Sequence, residues 1–260
     1  MRPLAGLPSQ GIRGLFFDID DTLTTEGRLT SLAYSALERW KEAGRISVAV
    51  TGRPAGWCDH IARMWPVDAV VGENGAFYFC YDAKARLLEK RFLQDDATRA
   101  ANRARLASIG AGILAAVPGC ALASDQHYRE TDLAIDFCED VPALPLSEAG
   151  RIADLMRAEG LTAKISSIHV NGWFGEYDKL GMAKTLASER FGTDLDQTRE
   201  QFAYAGDSPN DSPMFAYFPS SVGVANVRRF ETLLDPPPAF VTSAEAGAGF
   251  AELVDHLMGR

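Results

Sequence analysis

Cysteine is scarce in this chain, with four in 260 residues, and none of Cys58, Cys80, Cys120 and Cys138 belongs to a CxxC pair or to a Cys/His cluster with zinc spacing. That argues against a disulfide-stapled scaffold and against a structural zinc site, and it makes the thiols small buried hydrophobes of a reducing compartment. Long apolar runs are missing as well. The longest uncharged stretch, residues 109–123, has 15 residues and carries Gly110, Gly112, Pro118 and Gly119, short of the roughly 20 that a membrane span needs. Residues 1–14 hold no apolar h-region, so no signal peptide is expected and a cytoplasmic location is. Positive charge is in deficit: 26 Lys and Arg against 35 Asp and Glu give a formal charge of −9, which disfavours nucleic acid or an anionic membrane as partner. What remains, 47% hydrophobic and 23% charged, is the composition of an ordinary globular chain.

The first third alternates strand and helix signals. Residues 11–18 and 46–50 read as strands buried on both faces, and 30–44 and 54–65 as helices, the first with Leu32, Ala36, Leu37 and Trp40 at helical spacing. Residues 69–72 form a third strand. This β-α-β-α-β order predicts an α/β fold built on a Rossmann-like parallel sheet with helices on both faces. After Gly72 the pattern changes: a strand pair at 76–80 and 87–93, a long helix at 97–116, a strand at 133–137, a helix at 147–159 and one alternating strand at 162–170. The first pattern then resumes, with helices at 179–191, 211–217 and 246–258 and strands at 202–205 and 222–225. The expected organisation is a core of residues 1–81 and 176–260 interrupted by an inserted α+β unit, 82–175.

Chemistry concentrates at the ends of the buried strands. Asp18-Ile19-Asp20-Asp21-Thr22 follows the first, where ligands bind in open α/β sheets. Paired carboxylates there repel unless a cation neutralises them, and hard oxygen ligands suit Mg²⁺. Gly206-Asp207-Ser208-Pro209-Asn210-Asp211 repeats the theme after the strand at 202–205. Polar turns capping two strands would account for Ser, Pro and Asn, but not for two carboxylate groups at two strand ends of one sheet. Thr51-Gly52-Arg53 precedes a helix and offers a hydroxyl, a free N–H and a helix N-terminus to a phosphoryl oxygen. A balancing lysine is expected near the return to the core, where Lys179 and Lys184 both qualify.

Together these residues resemble the haloacid dehalogenase-like superfamily of aspartyl-phosphate phosphohydrolases. DxDxT is met by Asp18, Asp20 and Thr22, the threonine motif by Thr51, and GDxxND by Asp207, Asn210 and Asp211. Gly72-Glu73-Asn74-Gly75 is similar to the segment that leads into the cap of the Cof-like branch, class IIB, which carries its cap between the second and third motifs. Within that branch the chain looks like the sucrose-phosphatase and mannosyl-3-phosphoglycerate-phosphatase types, although Lys179 is followed by Leu180 before Gly181 where many relatives have Lys-Gly. The resemblance implies a phosphatase with Asp18 as nucleophile and Asp20 as general acid and base. It implies Mg²⁺ held by Asp18, the main-chain carbonyl of Asp20 and Asp207, with Asp211 orienting metal-bound water. Thr51, Gly52, Asn210 and Lys179 would bind phosphoryl oxygens, with Arg53 beside them or bridged to the cap.

A dehalogenase would leave an acid at position 20 idle, and an ion pump would need membrane helices. A small phosphorylated metabolite, a sugar phosphate first, is the expected substrate, with His127, Tyr128, Arg129, His169, Asn171, Trp173 and Tyr177 of the insert available to meet it. A phosphomutase of the phosphomannomutase type or a non-catalytic phosphate-binding protein are the alternatives. The mutase requires a second cationic pocket for its bisphosphate.

Overall fold

The computed structural model describes residues 1–260. Strand β2 (Gly14–Phe17) shows why the main sheet must be covered twice. Leu15 and Phe17 enter one hydrophobic core and Phe16 the other, all fully buried. Around it the order is β1-β13-β12-β11-β2-β3-β4-β5-β6, nine strands. Strands β1 (Arg2–Pro3), β3 (Ile46–Val50), β4 (Ala69–Gly72), β11 (Phe202–Gly206), β12 (Ser220–Gly223) and β13 (Phe240–Val241) run parallel to β2 and to one another. Helices α1 (Ser31–Glu42), α2 (Ala55–Met64) and α8 (Ala246–Leu257) pack on one face, with Trp40 and Phe250 at its centre. Helices α5 (Lys179–Phe191) and α7 (Ser212–Tyr217) cover the other through Met182, Leu186 and Met214. The chain moves outward from β2 through β3 and β4, then returns to the opposite side of β2 through β11. The crevice for a ligand therefore lies beyond the carboxyl ends of β2, β3 and β11.

A hairpin of β5 (Phe77–Asp82) and β6 (Leu87–Phe92) extends the main sheet antiparallel to β4. This corrects the expected border at residue 82, which cuts through the hairpin. Phe77, Phe79 and Phe92 pack on one another within the main core, so residues 82–92 stay with the large sheet. The smaller unit follows. It is a four-stranded antiparallel sheet, β7 (Ala121–Leu122), β8 (Asp132–Asp136), β10 (His169–Trp173) and β9 (Thr162–Ile165), backed by α3 (Asp96–Ala116) and α4 (Leu146–Ala158). The single strand expected over 162–170 is instead a hairpin. Ser166 Oγ accepts from the His169 amide at 3.0 Å and donates to the His169 carbonyl at 3.0 Å, closing a turn without glycine.

Alternation along β8 and β10 sends Leu133, Ile135 and Val170 into the small core. Asp132, His169 and Asn171 fall on the opposite, polar face, buried against the crevice. The short α6 (Leu195–Thr198) completes the helices, none of which is long and apolar enough to cross a membrane.

Candidate active site

The Asp18 amide donates to the Ala205 carbonyl at 2.9 Å, continuing the β2–β11 ladder. The chain then breaks away, with the amides of Thr22, Leu23 and Thr24 all donating to the Ile19 carbonyl. Asp18 is thus fixed by the sheet while Asp20 is turned aside by the following loop. Asp18, Asp207 and Asp211 bring carboxylate oxygens within 4.8 Å of one another, all buried, and the Asp20 carboxylate is not among them.

These three acids are not equivalent. Asp211 accepts from Lys179 Nζ at 2.7 Å and from the Tyr204 hydroxyl on Oδ1, and from the amides of Asp207 and Ser208 at 3.0 and 3.3 Å on Oδ2. It folds this closely onto the strand end because residue 206 is glycine; a Cβ there would stand 2.4 Å from Asp211 Oδ2. Asp207 is lightly held, by Thr22 Oγ1 at 3.3 Å and Asn226 Nδ2 at 3.4 Å. Asp18 pairs with Lys179 Nζ at 3.0 Å.

Burial lifts Asp18 to about 8, with Lys179 opposing the rise and Asp211 and Asp20 adding to it. Burial and the charges of Asp211 and Asp18 push Asp207 up in the same way. Burial works against the charge on Lys179, but Asp18 and Asp211 outweigh it and hold the ammonium above its ordinary range. Three buried carboxylates against one ammonium leave a deficit of positive charge. A divalent cation on the free oxygen of Asp18 and the lightly held carboxylate of Asp207 would fill it, and the all-oxygen donor set fits Mg²⁺. Asp211, with both oxygens engaged, suits orienting its neighbours better than direct ligation.

Lys179 is the first residue of α5, whose N-cap, Asp178, accepts from the Gly181 amide at 2.7 Å. The turn Glu73–Gly75 presses against this start: at Gly75, φ +109°, a Cβ would lie 2.0 Å from the Asp178 carbonyl oxygen. Lys184, the rival, pairs with Asp196 at 2.7 Å in a half-exposed position on the far part of the helix. The phosphate-type loop lies opposite. Thr51 is fully buried and its Oγ1 accepts from the Arg53 amide at 3.0 Å; Asn210 Nδ2 reaches Asn74 Oδ1 at 3.4 Å. A Cβ on Gly52 would come within 3.1 Å of Asn74 Nδ2, so the loop and Asn74 meet closely. A cavity of about 10 Å³, the room of one water, joins Asp18, Asp20, Gly52 and Asn210 to Ser166 and Asn171 of the smaller unit.

Arg53 does not point a free guanidinium into that space. It grips Asp20 through Nε at 2.9 Å and Nη2 at 2.8 Å, and reaches Asp125 and Glu139 of the smaller unit. Of the residues of the smaller unit expected to meet a substrate, Arg129 is instead buried in an interdomain network. It holds Asp125 and Asp132 and donates to the Gly52 carbonyl at 2.9 Å. Trp173 and Tyr177 stack on each other, and Tyr128 is exposed beside His127.

Sequence reasoning did not single out Asp125, Glu139, Tyr204 or Asn226, and named Glu73 only within the Gly72–Gly75 segment. Glu73 is fully buried and accepts from the amides of Ala55, Glu130 and Thr131 and from the Thr131 hydroxyl, tying α2 to the smaller unit. Burial raises it to about 7. Burial alone would also raise Glu139, but His169 and Arg53 outweigh it and hold it at about 2. Glu139 had one legible signal. Asp136 ends a strand and its Oδ1 accepts from the amides of Cys138 and Glu139 at 2.9 and 2.8 Å, the turn chemistry of an Asp after a strand.

The family model for haloacid dehalogenase-like hydrolases matches residues 15–105, from β2 across the threonine loop into α3. Over those residues the chain is similar to the haloacid dehalogenase-like hydrolases. It is 26% identical over 249 residues to a phosphoglycolate phosphatase of Methanothrix thermoacetophila, covering 95% of this chain and 97% of that one. Among solved structures it superposes on a protein of Thermoplasma acidophilum with a TM-score of 0.69 at 17% identity, over 95% and 98% of the two chains. The sucrose-phosphatase of Synechocystis sp. PCC6803, solved with sucrose and phosphate, matches at 0.61 and 15% identity over 94% and 97%. At these identities the two structural matches speak for the fold, and both span core and insert together.

Proposed function

We propose that this hydrolase is a Mg²⁺-dependent phosphatase that cleaves a phosphate monoester with a neutral polyol leaving group, a sugar phosphate, through an aspartyl-phosphate. The observation that carries the reading is the buried cluster of Asp18, Asp207 and Asp211 with Lys179 3.0 Å from Asp18 at the strand ends. Asp18 attacks phosphorus in line, forming the Asp18 Oδ–P bond as the P–O bond to the leaving group breaks. Asp20 gives its proton to the departing alkoxide, then takes one from the water that cleaves the acyl phosphate, releasing phosphate and free Asp18. Lys179, Thr51, Asn210 and the Gly52 amide bind the phosphoryl oxygens. Mg²⁺, when bound by Asp18, Asp207 and the Asp20 carbonyl, supplies charge neutralisation at the nucleophile and the phosphoryl group.

A cavity of about 440 Å³ beside Asp20 supports the polyol. Its carboxylates Asp20, Asp21, Glu26 and Glu139 outnumber Arg53 and Arg229, and both guanidiniums are already paired, Arg229 with Glu245 at 2.6 Å. A second anionic group on the substrate meets net negative charge there, which disfavours glycolate as leaving group and the bisphosphate of a mutase alike. The relative named as a phosphoglycolate phosphatase makes that compound the necessary counter-test.

Phosphate release is to be measured from sugar phosphates and from phosphoglycolate, with Mg²⁺ and again with EDTA. Metal-dependent release greatest on a sugar phosphate is the expected result. Release concentrated on phosphoglycolate keeps the chemistry and overturns the leaving group, and no release from folded protein with Mg²⁺ overturns the phosphatase.

A further inference from the structure

Every nitrogen of the Arg53 guanidinium is engaged, and by both halves of the molecule. On the core side, Nε and Nη2 hold both oxygens of Asp20. On the other side, Nη2 also meets Glu139 Oε1, and Nη1 lies 3.3 Å from both Glu139 Oε2 and Asp125 Oδ2. The guanidinium carbon sits 4.4 Å from the centre of the Trp57 ring, so one of its faces is walled off. Glu139 is itself fixed, by the Asp136 turn behind it and by His169 Nε2 at 2.9 Å from its Oε2. A planar fork held at both edges has one orientation available, whereas a fork held at one edge can swing. Asp125 offers a weaker grip, because its other oxygen already accepts twice from Arg129.

We infer that Glu139 is a positioning residue which acts through Arg53 to aim Asp20 at the leaving-group oxygen, so that acid catalysis is assembled only when the smaller unit is seated on the core. Glu139 has Arg53 and His169 as its side-chain partners and not Asp18; its effect is transmitted by the two guanidinium edges. The inference rests on the phosphatase reading and on Asp20 as the general acid.

The test compares phenyl phosphate with p-nitrophenyl phosphate, which differ little in shape but greatly in how much the departing oxygen needs a proton. Glu139→Gln keeps the side-chain volume and loses the charge that grips Arg53. Its kcat should fall roughly tenfold or more on phenyl phosphate and about twofold or less on p-nitrophenyl phosphate, the split expected when acid catalysis alone is impaired. In an Asp20→Asn background the same substitution should then add nothing on either compound. Equal losses on both phosphates, or a full additional loss in the double variant, would overturn the inference and make Glu139 a structural tie. Failure of the folded wild-type protein to release phosphate from either compound would instead count against the phosphatase reading itself.

Discussion

Lys179 Nζ stands 3.0 Å from Asp18 Oδ1 with both side chains buried, so the strongest candidate for a nucleophile in the chain is also one half of an ion pair. The contact balances charge in the folded protein and places an ammonium where phosphoryl charge would develop.

Replacing that lysine separates the two roles. Lys179→Met leaves Asp18, Asp207 and Asp211 without their cation, and breaking a buried pair costs about 3–5 kcal/mol. The melting temperature in EDTA should fall accordingly, and added Mg²⁺, which binds the folded form, should recover more of it than in the wild type. Turnover with Mg²⁺ should remain at least roughly 100-fold down, because the metal does not replace a donor to the phosphoryl oxygens. Calorimetry with and without metal, beside steady-state kinetics, distinguishes these effects.

Asp18→Asn should do the opposite to stability. Burial and the neighbouring acids already work against the charge on Asp18, so an uncharged isostere relieves repulsion while Lys179 keeps Asp211 as partner. We expect turnover to be abolished and the melting temperature in EDTA to be equal to or above that of the wild type. Near-wild-type activity would remove Asp18 as the nucleophile.

Arg129 is a structural cation of the interdomain network. Arg129→Met strands Asp125 and Asp132 and deprives the Gly52 carbonyl of a donor, at an expected cost of about 3–5 kcal/mol in a denaturant titration. A loss below about 1 kcal/mol would show that these acids find other partners or water.

Glu73 gives the interface a pH dependence of definite sign. Burial lifts it from the usual 4.5 to about 7, with Asp132 adding to the rise and Arg129 opposing it. Between those values the folded chain holds a proton that the unfolded chain has released. The stability it contributes is therefore full below about 4.5 and is lost as pH rises through about 7. Glu73→Gln removes the titration, so the stability of the variant relative to the wild type should improve steadily across that interval. Parallel curves of melting temperature against pH would exclude Glu73 as the source.

Much of this architecture was legible because it is local. The helix expected near 179–191 matches α5, whose ends carry signals of residue type, Asp178 as a cap and Gly192 as a left-handed stop. The acidic clusters announced themselves by following short runs buried on both faces. What escaped depends on partners distant in sequence. The hydrophobic pattern of 77–80 identifies a strand but not which sheet receives it, and β1 and β13, two residues each, are too short to leave a period. The turn at Ser166 hid because a hydroxyl performs there what glycine or asparagine usually signals. Arg53 was visible beside the threonine loop, but its partners Asp125 and Glu139 lie 72 and 86 residues away, and no spacing rule joins them.

The contact of Gly75 with the Asp178 carbonyl has a modular consequence. The turn that leads into the β5–β6 hairpin and the turn through which the chain comes home meet with no side chain between them. Lys179 begins on the home side of that joint, so its address is written in the core and not in whatever the chain builds in the interval. An insert of different size or shape, spliced between β6 and Asp178, would inherit the lysine already aimed at Asp18. Specificity could be rebuilt there without disturbing the charge arrangement beneath it.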